Sequence, residues 1–280
     1  MRKNSITKDS IRYFEIHLRD NEKAESTIQK YVKEIINLKI FLKNGKLTKK
    51  SLLQYRDILQ VGHKATTVNN KLSAINAYLR FLGRRDCEVK FLKVQHRAFI
   101  EGNRELTEAE YRRLLSAAKQ RKNKRLYYLL LTVCATGIRI SELKYITMEA
   151  LRTGRADIRM KGKSRTVILP KDLARKLEEY AHQQHILEGM IFQTRSGNPL
   201  DRSNIWNEMK ALSKAANINP QKVYPHNLRH LFARSFYSIE KNLSHLADIL
   251  GHSSIETTRI YVAVSVEEHE KTIKKMKLII

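Results

Sequence analysis

Cysteine is nearly absent. Cys87 and Cys134 are the only two in 280 residues, and no Cys/His cluster has metal-ligand spacing, which argues against both a disulfide and a zinc site. Cys134 falls in the apolar run LLLTVCATG and reads as a buried core thiol. No run approaches the roughly 20 apolar residues that cross a bilayer, and the amino terminus MRKNSITKDS has no apolar signal region. No membrane partner is therefore expected, and the expected location is the cytoplasm. A phosphate-binding loop of the GxxxxGK[ST] kind is missing, and the acidic residues do not cluster as in a two-metal nuclease, so neither a cofactor nor a metal is expected. There is no repeat of fixed period and no low-complexity segment.

Acidic residues are scarce as well. Asp and Glu number 28 against 54 Lys and Arg, giving a formal net charge of +26 and a pI near 10.1. The excess is evenly shared: residues 1–98 carry 22 basic and 9 acidic side chains and residues 99–280 carry 32 and 19, so each part is +13. A single basic tail cannot explain that distribution. It suits a protein that surrounds a polyanion, where each phosphate contact releases counterions. A Lys-rich compositional bias or an acidic membrane surface are the alternatives.

With 42% apolar residues the chain can bury a core in each of two domains. The first hundred residues read as about four amphipathic helices. Ser26 with Gln29 looks like a capping box, and Ile28, Tyr31, Val32, Ile35, Leu38 and Phe41 recur at helical spacing until Gly45. A second clear helix follows Thr66 and stops at Gly83, with weaker patterns at 7–20 and 48–60. The periodicity lapses across VQHRAFIEGNREL, and Thr107 with Glu110 opens a new helix as another capping box. Beyond it, helices are expected at 107–119, 123–135 up to Gly137, from near Arg139, and at 171–187, 202–217, 226–240 and 243–250. ADIRM and RTVIL around a Lys-Gly-Lys turn predict a β-hairpin. A last amphipathic stretch runs from Val266 to the end.

Four segments concentrate positive and proton-transferring groups: ATGIRISEL around Arg139, MKGKSR around Lys161, PHNLRH with His226 and Arg229, and LGHSSIETTRIY with His252 and Tyr261. Each has an ordinary explanation. Arg139 could be a surface residue or the partner of Glu142. His226 and Arg229, on one helical face after Pro225, could form a solvated DNA-backbone surface. His252 could be a structural loop residue before a helix capped by Ser253 or Ser254, and Tyr261 could be core.

Together they form the pattern R-(21)-K-(64)-H-x-x-R-(22)-H-(8)-Y, with the numbers counting intervening residues. The pattern resembles the signature of the tyrosine recombinase (phage integrase, Xer-like) family. TGIRISEL, HNLRHLFA and LGHSSIETTRIY resemble that family's TGLRxSEL, HxLRHxFA and LGHSSxxTTxxY in order and spacing, over most of residues 100–265. The resemblance implies a mainly α fold with a small β-sheet. A SAM-like helical core-binding bundle would occupy 1–93 and a linker 94–106. An α+β catalytic domain would follow at 107–265, and then a tail at 266–280 that docks on a neighbouring protomer through Ile273, Met276 and Ile280 or packs in cis. It also implies an enzyme that cleaves and rejoins duplex DNA through a 3′-phosphotyrosyl bond, exchanging strands between two sites. Arg139 and Arg229 would clamp the phosphate, with His252 as a further donor. Tyr261 would be the nucleophile and His226 its proton acceptor. Lys161, or alternatively Lys163, would protonate the leaving 5′ oxygen. Glu142 would orient the site, and His230 would support it by packing or hydrogen bonding. The implied partners are double-stranded DNA, further copies in a tetrameric synapse, and a second recombinase or accessory DNA-bending protein. The chain begins almost directly with the bundle, an arrangement expected of compact Xer-type, transposon or integron recombinases. A type IB topoisomerase-like relaxing enzyme and a non-catalytic DNA-binding protein are the rival readings.

Overall fold

A computed structural model describes residues 5–43, 45–94, 105–160, 163–252, 254–261 and 274–275. The chain divides into two compact units, Met1–His96 and Arg97–Ile280.

The first unit contains helices α1 (Lys8–Asp20), α2 (Glu25–Leu42), α3 (Lys49–Gly62) and α4 (Ala65–Phe81). The two weaker sequence patterns hold the better caps. Thr7 with Ser10, and Thr48 with Ser51, form reciprocal boxes that satisfy backbone N–H groups at the starts of α1 and α3. The box expected at Ser26 and Gln29 does not form. The helix starts two residues earlier, after Ala24, and Glu25 in its first turn is held by Arg19 from the end of α1, Nη1 to Oε2 at 2.6 Å. It also stops before Gly45, at Lys43, whose φ of 44° ends it in the left-handed conformation. Helix α4 likewise starts before Thr66, and it closes in a Schellman pattern: Gly83 N–H donates to the carbonyl of Arg80 and Arg84 N–H to that of Leu79.

Phe14, Ile35, Leu38, Leu72 and Tyr78 form the centre of this unit. Among them sits Glu34, only 5% exposed. It accepts from Tyr55 Oη at 2.8 Å and from Lys71 Nζ at 2.7 Å, so one buried carboxylate joins α2, α3 and α4. A charge in that position is tolerable only because both oxygens are paired.

In the second unit the Thr107–Glu110 capping box opens α5 (Glu108–Gln120), as the sequence predicts. Next comes α6 (Lys124–Thr136), whose residues Leu126, Leu129, Leu130 and Val133 are all buried in the principal core. Cys134 differs from expectation. It packs against the edge of that core and stays half-buried, with its thiol pushed up to about 12 by burial. Gly137 ends α6 at φ +63°. Instead of an α-helix near Arg139 there follows a 3₁₀ segment, Ile140–Tyr145, and then the short α7 (Met148–Thr153). At its start Glu142 folds back over Arg139, and its carboxylate accepts from the Arg139 backbone N–H at 2.9 Å.

The hairpin forms where the sequence predicts it. Strand β1 (Arg155–Met160) pairs antiparallel with β2 (Lys163–Ile168), Ala156 opposite Val167 and Ile158 opposite Arg165. Its inner face buries Ala156, Ile158 and Val167. Helices α8 (Lys171–Gln183), α9 (Arg202–Ala215), α10 (Pro225–Ile239) and α11 (Leu243–Leu250) complete the unit, the first two ending earlier than expected, followed by one-turn α12 (Ile255–Arg259). Ser254 precedes α12 without a side-chain cap, and Ser253 lies outside the described residues. So do most of the expected linker, residues 95–104, and nearly all of the expected tail, including Ile273, Met276 and Ile280. Among the described residues no helix is long and apolar enough to cross a membrane.

Gly137 couples the core to the segment that carries Arg139. A Cβ there would lie 2.5 Å from Phe232 Cδ1, and the positive φ would strain any L residue. Gly137→Ala is therefore expected to destabilise the second unit by about 2 kcal/mol or more. Trp206, the sole tryptophan, lies in α9, so its fluorescence during urea denaturation reads that unit directly.

Candidate active site

Residues from four separate segments converge at the C-terminal end of α11. Arg139 enters from the turn after α6, Arg229 from α10, His252 from the loop after α11, and Tyr261 from just beyond α12.

Arg229 is 1% exposed, which a guanidinium tolerates only with its donors engaged. Nη1 donates to the carbonyl of Gly137 at 2.6 Å and Nη2 to that of Leu250 at 2.6 Å. Burial, followed by repulsion from Arg139, pulls its pKa down to about 10, so it remains cationic at neutral pH. Nε is buried without a hydrogen-bond partner among the described residues. Arg139 is more open, its side chain 36% exposed, and donates through Nη1 to Glu142 Oε1 at 2.9 Å and through Nη2 to the carbonyl of Gly251 at 3.4 Å. Burial pushes the Glu142 carboxyl up. The Arg139 N–H and the charges of Arg165 and Arg139 outweigh that and hold it below the ordinary carboxylate value.

The histidines are different in kind. His252 Nε2 lies 2.9 Å from Arg229 Nη2. A guanidinium has no acceptor, so Nε2 must accept, which leaves the ring proton on Nδ1, where it donates to Thr258 Oγ1 at 2.8 Å. Thr258 is fully buried and fixes this tautomer. Burial and then Arg229 and Arg139 lower His252 to about 4, so it is neutral here. His226, in the first turn of α10, lies with Nε2 2.9 Å from Tyr261 Oη and is also lowered, by burial first and then by Arg229 and Arg139. His230, lowered to about 4 by burial and then by His226 and Arg229, stacks on the Tyr261 ring, centroids 4.2 Å apart and planes 25° apart. Tyr261 itself is 4% exposed.

Arg139, Glu142, His226, Arg229, His230, His252 and Tyr261 are thus brought together as the sequence motifs suggest. Lys161 lies outside the described residues, and Lys163 is described only in its backbone, opposite Met160 in the hairpin. Two further participants were not among the expected site residues. Thr258 is the second threonine of LGHSSIETTRIY, so the motif carried it without assigning it a role. Arg165 gives a signal as well: it falls in phase with Val167 in β2 and with Leu169 just beyond it, at a position where the alternation calls for an apolar side chain. Among the described residues no group of three His, Cys, Asp or Glu side chains could hold a metal ion. The arrangement instead offers fixed cations beside a tyrosine hydroxyl and a neutral imidazole. Such a set can bind an anionic phosphate and accept a phenolic proton.

Comparison with known proteins agrees. The family model described as the phage integrase family matches residues 104–268. The tyrosine recombinase XerA of Thermococcus kodakarensis is 31% identical over 281 residues, covering 96% of this chain and 95% of the relative. The tyrosine recombinase XerD of Vibrio cholerae is 28% identical, covering 87% of each. Among solved structures, a lambda integrase dimer bound to a COC′ core site shares the fold at a TM-score of 0.72, with 18% identity over 93% of this chain and 78% of that one. The crystal structure of XerA recombinase matches at a TM-score of 0.53, with 23% identity over 97% and 99%. A family match over more than half of the chain and a relative 31% identical along nearly all of it establish that this chain belongs to the phage integrase family of tyrosine recombinases.

Proposed function

We propose that this site-specific recombinase cleaves duplex DNA with Tyr261 as nucleophile and His226 as its proton acceptor. The observation that carries this reading is the 2.9 Å approach of Tyr261 Oη to His226 Nε2 beside two arginines. Attack by the phenolic oxygen on a phosphodiester forms the tyrosyl O–P bond and breaks the bond from phosphorus to the 5′ oxygen, while the phenol proton passes to His226. Charge builds on the non-bridging oxygens, and Arg139 and Arg229, fixed in advance by carbonyls and Glu142, offset it without reorganisation. A bound phosphate brings negative charge next to His252, which favours its protonation and turns Nε2 from acceptor to donor. Lys161 or Lys163 supplies the proton for the departing 5′ oxygen. His230 acts as a wall that holds the Tyr261 ring.

The 3′-phosphotyrosyl product retains the energy of the original ester, so a 5′ hydroxyl from a second strand reverses the step without a nucleotide cofactor. The shared +13 charge of the two parts supports a clamp in which residues 1–93 and 107–265 both hold DNA, with 94–106 as the connection. Strand exchange between two sites calls for four copies. A lambda integrase tetramer bound to a Holliday junction has been solved, and its fold matches this chain at a TM-score of 0.72. The tail at 266–280 is a candidate for the contact between copies, and the cytoplasm is the proposed compartment.

Tyr261→Phe is expected to abolish the covalent adduct on a suicide substrate, by about 10³-fold or more, with DNA binding nearly intact. An undiminished adduct overturns the nucleophile assignment. Lys161→Ala and Lys163→Ala separate the two lysines: on a 5′-phosphorothiolate bridge, whose sulfur leaves without a proton, only the variant lacking the acid recovers by about 10²-fold. Because His226 must be neutral to accept a proton and its pKa is lowered, kcat/KM for cleavage should hold as pH falls to the ordinary imidazole value of 6.5 and decline only below it. An acid limb above 6.5, or one that persists in His226→Gln, contradicts the base assignment.

A further inference from the structure

The C-terminus of α11 leaves carbonyls without intrahelical partners, and three consecutive ones are each met by a different arginine. Ile249 accepts from Arg165 Nη1, Leu250 from Arg229 Nη2 and Gly251 from Arg139 Nη2. Arg139 and Arg229 already have places in the proposed chemistry. Arg165 does not, and it stands where β2 should present an apolar residue, opposite Ile158 on the buried face of the hairpin. Its side chain is 11% exposed, and its Nη2 donates to Glu142 Oε2 at 2.7 Å, the oxygen that also accepts from the Arg139 backbone. Burial lowers its pKa, Glu142 opposes that and Arg139 adds to it, with a net lowering, so the site holds this charge against a desolvation cost. Its stem leaves no room beside Gly251, where a Cβ would lie 2.3 Å from Arg165 Cδ.

Resting on the reading of Arg139 and Arg229 as the phosphate clamp, we propose that Arg165 is a positioning residue for that clamp, bolting the hairpin to Glu142 and to the end of α11. Through Glu142 it fixes the backbone and guanidinium of Arg139. Through Ile249 and its packing on Gly251 it fixes the chain that presents the Leu250 carbonyl to Arg229 and leads into His252. Both of its Nη groups are engaged within the protein, so it acts on the reaction through its neighbours. Loss of such support behind a charged clamp slows a reaction by about 10- to 100-fold while the fold survives.

The test compares single-turnover cleavage, at saturating full-length protein, of a normal scissile phosphodiester and of a methylphosphonate at the same position. The methylphosphonate carries no negative charge, so a misplaced clamp matters less to it. Arg165→Met should slow phosphodiester cleavage by about 100-fold with little change in DNA Kd, and the deficit should shrink by about 10-fold on the methylphosphonate. Arg139→Ala serves as the reference for loss of the clamp and should show the same contraction. An equal deficit on both linkages, or a loss confined to Kd, for Arg165→Met alone overturns the positioning role. Absence of contraction for Arg139→Ala overturns the clamp reading and this inference with it. If Trp206 fluorescence shows that Arg165→Met is unfolded, Arg165→Lys carries the same comparison. It keeps the charge but cannot reach both Glu142 and Ile249 with a planar fork, so it too should be slowed on the phosphodiester and relieved on the methylphosphonate. Full activity of Arg165→Lys refutes the bridging role.

Discussion

Guanidinium groups gathered in one place repel one another, and the second unit is arranged around keeping three of them at the end of α11. The exposed helix carbonyls and the negative end of the helix dipole draw them in, and each arginine engages a separate carbonyl. Glu142 supplies the compensating charge for two of them, pairing with Arg139 at 2.9 Å and Arg165 at 2.7 Å. The remaining one, Arg229, is sealed by the Gly137 carbonyl at the end of α6. Gly137 must therefore be a glycine twice over: its φ is positive, and Phe232 occupies the space a side chain would need. Through that single turn the packing of the apolar α6 sets the position of the Arg229 guanidinium.

Burial, and after it the same concentration of positive charge, determines how the histidines behave. Burial is the largest cause that lowers His226, His230 and His252, and the neighbouring arginines add to it. Three imidazoles that would otherwise titrate near neutrality are kept neutral around Tyr261. His226 Nε2 lies within hydrogen-bond distance of Tyr261 Oη, His230 stacks on the Tyr261 ring, and His252 Nε2 accepts from Arg229. Permanent charge sits on arginine, which keeps it at neutral pH, and histidine is the residue of the cluster that can change its protonation.

A different solution to buried charge operates in the first unit. Glu34 is enclosed by three helices and satisfied by Tyr55 and Lys71, which leaves the surplus of Lys and Arg on the helix surfaces. The carboxylate there joins three helices.

Much of this was legible in the chain itself. Local signals placed the capping box at Thr107, the stop at Gly137 and the hairpin, because each depends on residues a few positions apart. The order and spacing of Arg139, His226, Arg229, His252 and Tyr261 pointed to a phosphate and a nucleophile, since that chemistry restricts the residue types available. Local signals failed where distant contacts are made: Arg19 holds Glu25 in the first turn of α2, which starts ahead of Ser26, and Arg165 reaches Glu142 within a 3₁₀ turn where an α-helix was expected. Tertiary structure alone decided that Thr258 sets the tautomer of His252, that His230 lies flat on Tyr261, and that Arg165 reaches Glu142 and Ile249. These contacts link residues between 6 and 84 positions apart, and their energies depend on burial and approach that no spacing in the sequence encodes.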